Sequence, residues 1–284
     1  MAWHRAHFNR AIRAMWWIAG ACALAGAARA QPCPAARAPR LAAIGGLYAG
    51  AEITAIALRH DDWWTTPRTG FYVSWDQSPS AGQDRLLHAA LGYHVSQGAA
   101  AAFRWACVAP VPAAWLGLGL GLAVGLPKEI GDGVHQQKGF SAPDMLWTAL
   151  GSALPAAHAT WPASRAFALK VSYWPSDEYQ TRTGPQPQLE SDYAGQRYYL
   201  AIAPGELGSV GAWPRWMGLA VGHSVPYWAS QPPVHEWYWS LDLNFRSLPI
   251  GGSLWRRAAW VLDQIHFPLP GLRLREGTWM LGLF

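Results

Sequence analysis

The chain has 284 residues, enough for one large domain or two small ones, and half of it is hydrophobic while only 14% is charged, against about 25% in a typical soluble protein. Nineteen Trp and ten Tyr point the same way, because amphipathic rings gather where an apolar slab meets water. The formal charge of +5 is no nucleic-acid footprint: Arg5, Arg10, Arg13 and Arg29 all fall in the first thirty residues, and without them the chain is nearly neutral.

Residues 1–30 read as a secretory signal peptide. MAWHRAHFNRAIRA is basic without an acid, AMWWIAGACALAGA is apolar but short, and ARA ends in small residues at cleavage spacing. Residues 31–40, QPCPAARAPR, read as a Pro- and Ala-rich linker. An exported chain lives where disulfides persist, so Cys33 and Cys107 are free to pair, although Cys107 reads equally well as a buried thiol.

Residues 41–160 read as an apolar helical region of about four helices: LAAIGGLYAGAEITAIAL, LLHAALGYHVSQGAAAAFRWACV, AAWLGLGLGLAVGL and DMLWTALGSAL. Their Gly and Ala content lets helices approach closely, as in membrane bundles. After residue 165 the period changes to two, and residues 165–284 read as an antiparallel β-rich half of about five or six strands. ALKVSYW, RYYLAIA, WMGLAVGHSV, WYWSLDLNF and the closing GTWMLGLF carry this pattern. In WYWSLDLNF, Trp237, Trp239, Leu241, Leu243 and Phe245 share one face, and Tyr238, Ser240, Asp242 and Asn244 the other. An alternating last strand with a terminal Phe resembles the ending of bacterial outer-membrane barrels, yet five or six strands are fewer than the about eight of the smallest single-chain barrels. The sheet must then pack on the helices, meet another chain or face lipid. The fold class is α+β.

Familiar enzyme signatures are absent. LGLGLGLAVG lacks the Lys-Ser/Thr ending of a phosphate loop, and neither G-x-S-x-G nor H-E-x-x-H occurs. What remains is a polar set inside an apolar region. Asp84 and His88 are four apart on one helical face with Arg85 beside them, whereas His94 points elsewhere. Glu129 and Asp132 are three apart and face one way if their helix continues through KEIGDG, although Gly131 and Gly133 suggest its end. Ser141 and Asp144 fit an N-cap and the N3 acid of a capping box.

Three readings fit this set. Asp84 and Asp144 cap helices while Glu129 pairs with Arg85 or Lys128. Alternatively, Asp84, His88, Glu129 and Asp132 form a hydrogen-bonded cluster that welds helices together. In the third, the same four are candidate catalytic residues: His88 and Asp84 act as base and orienter, and Glu129 and Asp132 as acid or metal ligands, in a hydrolase or transferase acting on a lipid or cell-wall precursor. No cofactor is specified by the sequence. A lipid-binding module built on Trp237 and Trp239 is a further alternative.

QDRLLH, KEIGDG and GFSAPDMLWTALGSAL, in that order over residues 80–155, resemble the YfiM-like family of predicted bacterial periplasmic lipoproteins, a domain of unknown function. Asp84, His88, Lys128, Glu129, Asp132, Gly139, Ser141 and Asp144 fall on its pattern. Arg85 stands where the family has Lys, and no lipidation motif is evident. SDYAGQRYYLAIAP and LDLNF look like the β-rich extension of longer members, and the motif order bears a fainter similarity to VanZ-like membrane proteins. The resemblance implies a Gram-negative envelope protein, membrane-associated on the periplasmic side or in the outer membrane. Membrane lipid or envelope proteins are the expected partners, nucleic acid is not, and the β-rich half offers a route to an oligomer.

Overall fold

The computed structural model describes residues 33–75, 80–181, 191–208, 213–227 and 232–284; the expected signal peptide lies outside them. The chain is α+β, with a helical half followed by a six-stranded antiparallel sheet. The helical half holds α1 (Cys33–Trp63), α2 (Gln83–Trp105), α3 (Pro110–Ala123), α4 (Leu126–Asp132) and α5 (Ala142–Thr160), together with a two-residue parallel pairing of β1 (Val73–Ser74) and β2 (Phe140–Ser141).

Five helices stand among the described residues of this half where about four were expected. The run from Pro110 to Asp132 breaks at Val124 and Gly125, whose φ is +75°. A left-handed residue followed by Pro127 cannot continue an α-helix. The expected linker at 31–40 is also corrected. Residues 33–40 open α1, since Ala and Arg favour helix and a proline in the first turn has no intrahelical donor to lose, while Pro39 is carried inside the helix. A Cys33–Cys107 disulfide anchors this end, and Arg40 Nη1 donates to the Trp105 carbonyl at 2.7 Å. At the far end of α1, Trp64 reaches the turn after α4. Along its length the helix is tethered mainly at its ends, with Leu47, Ile53 and Leu58 exposed.

The expected close approach of small residues is present. A Cβ at Gly151 of α5 would sit 1.9 Å from the Ala89 carbonyl of α2, so the two backbones touch where a side chain would otherwise stand. Two runs, Ala35–Trp63 and Pro110–Asp132, are long and apolar enough to cross a membrane by length and composition.

The sheet is a meander of β3 (Phe167–Tyr173), β4 (Gln196–Ile202), β5 (Met217–Tyr227), β6 (Val234–Leu243), β7 (Pro270–Arg275) and β8 (Thr278–Leu283), each paired with the next. Short helices α6 (Asp177–Thr181) and α7 (Ser253–Leu262) lie in its connections. The sequence reading did not name β7 or α7. PGLRLR carries two arginines in alternation and resembles a polar loop.

The sheet is strongly curled. Strands about 4.8 Å apart would place β3 and β6 roughly 14 Å apart if flat, yet Lys170 Nζ of β3 donates to Asp242 Oδ2 of β6 at 2.7 Å. The segment before β7 completes the curl: Val171 donates to the Gln264 carbonyl and accepts from His266 N–H along the free edge of β3.

The two faces of this curled sheet are inverted relative to a water-soluble one. On β6, Glu236, Tyr238, Ser240 and Asp242 are buried, whereas Trp237 and Trp239 are exposed. Register continues the apolar outer face sideways, from Val221 through Trp239 and Leu272 to Leu281. Leu281 is 78% exposed and Lys170, inside, only 3%. The terminal Phe284 belongs to the interior: its ring packs on Tyr238, and its backbone pairs with Leu269.

Candidate functional site

Two polar assemblies are buried, one in each half. In the sheet interior, Lys170 bridges Asp242 and the Leu243 carbonyl. His266 Nδ1 lies 2.9 Å from Asp242 Oδ1, and its ring stacks on Tyr199 at 3.8 Å. Asp263 takes Arg246 Nε at 2.6 Å, and Glu236 accepts from Tyr238 and forms ion pairs with Arg273 and Arg275. Every acid named here has a basic or hydroxyl partner, which is what a dry interior requires of buried charge. The sequence reading placed Asp242 and Ser240 on the polar face but named neither as part of a site.

The second assembly gathers the residues singled out in the sequence. Asp84 and His88 come from the first two turns of α2, Lys128, Glu129 and Asp132 from α4, and Asp144 and Thr148 from the start of α5. All three elements meet at the end of the helical half opposite the disulfide.

Ser141 is the N-cap of α5, accepting from Asp144 N–H at 3.3 Å. The return half of the capping box does not form. Ser141 N–H donates to Glu129 Oε2 at 3.1 Å instead, which leaves the Asp144 carboxylate to turn toward His88. Its Oδ2 lies 3.9 Å from His88 Nε2, its Oδ1 is buried without a hydrogen-bond partner, and the residue is 7% exposed. Burial is the largest influence raising the Asp144 pKa; Asp84 and Glu129 add to it, while His88 and Ser141 oppose it.

His88 Nε2 also lies 4.0 Å from Glu129 Oε1, beyond hydrogen-bond reach. On the other ring nitrogen, Nδ1 is 3.1 Å from Thr148 Oγ1. Thr148 gives its hydroxyl proton to the Asp144 carbonyl at 2.9 Å, so that oxygen accepts and Nδ1 carries the hydrogen. In the neutral imidazole the Nε2 lone pair then faces two carboxylates.

Asp132 departs from the expected arrangement. It does face the same way as Glu129, as their spacing suggested, and both bind Lys128 Nζ, at 2.8 and 2.9 Å. Its other oxygen accepts from Trp64 Nε1 at 2.8 Å, so it is satisfied away from His88. Gly131 makes room for that contact: a Cβ there would lie 1.9 Å from the Trp64 ring. Asp84 is buried near Asp144, and its own N–H is capped by Ser80 Oγ at 2.9 Å. Among the described residues no ion pair joins Arg85 to the cluster, and Glu129 pairs with Lys128. His94 does point elsewhere, to Gln264 Oε1 of the β-rich half at 2.8 Å.

Sequence reasoning missed Thr148 and Trp64. Thr148 lies four residues after Asp144 and shares its face, a spacing that would have revealed it. Trp64 arrives from 68 residues away, and no local pattern announces it. His88, Glu129 and Asp144 each offer one ligand atom, all within 4.8 Å of one another, so that among the described residues these three form a group able to hold a metal ion. No family model, curated protein or solved structure matches the chain.

Proposed function

We propose that this chain is an exported, membrane-associated envelope protein of a Gram-negative bacterium with a structural or assembly role, its sheet laid against lipid and its helices fixed by the buried Asp/His/Glu cluster. The observation that carries this reading is the inverted sheet: charged groups point into the curl while Trp237, Trp239, Leu272, Trp279 and Leu281 point out. Water rewards the opposite arrangement, and hydrocarbon rewards this one. The curl lets a sheet of only six strands hide its polar face without closing into a conventional barrel.

Further support comes from the helical half, where Leu146 and Leu150 of α5 and Trp115 and Leu116 of α3 are also exposed. Exposed Trp75, Trp161 and Trp174 are of the type that settles at a membrane boundary. The YfiM-like pattern agrees with an envelope location.

A second reading, a hydrolase or transferase working on a lipid or cell-wall precursor, draws on the convergence of His88, Glu129 and Asp144. In it Asp144 replaces Asp132 in the candidate set. Fractionation tests the first reading: the mature protein is expected in the membrane fraction and to resist carbonate extraction. Recovery wholly in the soluble periplasmic fraction after gentle lysis would sink it.

A further inference from the structure

We infer that His88, Glu129 and Asp144 form a binding site for one divalent first-row metal ion of the zinc or manganese class. Three features converge on this assignment independently of where the protein resides. First, the hydrogen bonding of His88 is that of a metal-binding histidine: Nδ1–H is fixed by Thr148, whose hydroxyl is in turn fixed by the Asp144 carbonyl. Such an outer contact sets the tautomer and aims the Nε2 lone pair. That lone pair meets Glu129 Oε1 at 4.0 Å and Asp144 Oδ2 at 3.9 Å.

Second, these separations are too long for hydrogen bonds and close to those of ligands sharing an ion. Donors about 2.1 Å from a tetrahedral metal lie about 3.4 Å from each other, a spacing that a small carboxylate rotation reaches.

Third, Asp144 holds a buried oxygen with no hydrogen-bond partner, although Ser141 N–H, the donor that the capping box would supply, lies on the same turn. Glu129 has taken that donor. A buried carboxylate oxygen left without a donor costs free energy unless a cation serves the group. The local charge agrees: Glu129 and Asp132 share the ammonium of Lys128, so that with Asp144 beside them the three carboxylates outnumber that cation. The imidazole suits zinc and the two carboxylates suit manganese, whereas calcium and magnesium are held by oxygen ligands.

The test uses detergent-purified mature protein without a histidine tag, stripped with chelator and titrated with Zn²⁺ and with Mn²⁺ under calorimetry. One equivalent is expected to bind, with affinity falling by at least about tenfold in His88→Ala and in Asp144→Asn. A stripped variant counts as folded when its circular-dichroism spectrum matches that of stripped wild type, even where the lost helix contacts lower its melting temperature. Failure of the folded wild type to take up either ion, or unchanged uptake in both variants, overturns the site. Should the variants not fold, pulsed EPR of Mn²⁺-loaded wild type decides. Coupling to one imidazole nitrogen is expected, and a spectrum without nitrogen coupling overturns the assignment.

Discussion

The helical half and the sheet solve the same problem in different ways. Both leave apolar side chains on the outside, yet the helices gather most of their charge at one end, around His88 and Glu129, while the sheet spreads its charge along the inside of a curl. The backbone explains the difference. A helix satisfies its own peptide groups, so its flanks can be apolar on every side and its polar groups fall near its ends. A strand alternates, and every outward Trp or Leu forces a neighbour inward. The inward neighbours of Trp237 and Trp239 are therefore Glu236, Tyr238 and Ser240, and each must find a polar partner inside the curl.

The largest effect that sharpens this contrast is expected at Lys170. Lys170→Met removes the ammonium from buried Asp242, leaving it His266 alone, and should cost about 3–5 kcal/mol, enough to unfold the sheet. Thermal melts followed by near-UV circular dichroism would report it. A variant that melts like wild type would mean that water reaches the curl.

Leu272→Arg comes next. With the outer face against lipid, the substitution should cost about 2–4 kcal/mol near the midplane; on a water-exposed face it should change stability by less than about 0.5 kcal/mol. Chemical denaturation in bilayers separates the two outcomes. In the helical half, Gly151→Val drives a side chain into the Ala89 carbonyl and should destabilise by about 1–3 kcal/mol or more, while a sheet-specific probe such as the Lys170–Asp242 region is disturbed less.

The smallest effect sits where the halves join. His158 Nε2–H donates to the Phe167 carbonyl at the start of β3, and burial, helped by Arg246 and Arg165, holds its pKa down to about 4. The unfolded chain therefore takes up this proton first as pH falls through the ordinary histidine range. Its contribution to stability is complete above pH of about 6.5 and is lost as pH falls toward 4. The melting temperature should decline across that window, and His158→Gln should flatten the decline. An identical decline in the variant would place the sensitivity elsewhere.

Much of this was legible in the chain. The switch from helical period to alternation near residue 165 located the two halves, and the two faces of WYWSLDLNF were assigned correctly as far as Leu243, where β6 ends; Asn244 and Phe245 enter a 3-10 turn instead. Which face would be buried was not legible, because alternation fixes the partition and only the curl fixes the inside. The same limit applies at the polar cluster. The spacing of Asp84, His88, Glu129 and Asp132 brought the right elements together, but the exchange of Asp132 for Asp144 depends on Glu129 capturing Ser141 N–H and on Trp64 capturing Asp132. Both are long-range hydrogen bonds that no local pattern encodes. Residues 33–40 misled in the other direction, since a Pro-rich opening reads as linker until a disulfide and Arg40 hold it as helix.

The central claim is that the outer face of the sheet meets lipid, and spin labels placed singly at Leu219, Leu272 and Leu281 in reconstituted protein test it most directly by their collisions with oxygen and with a water-soluble nickel chelate. Lipid contact predicts that oxygen relaxes all three labels strongly and the chelate hardly at all. Free access of the chelate to all three would contradict the account.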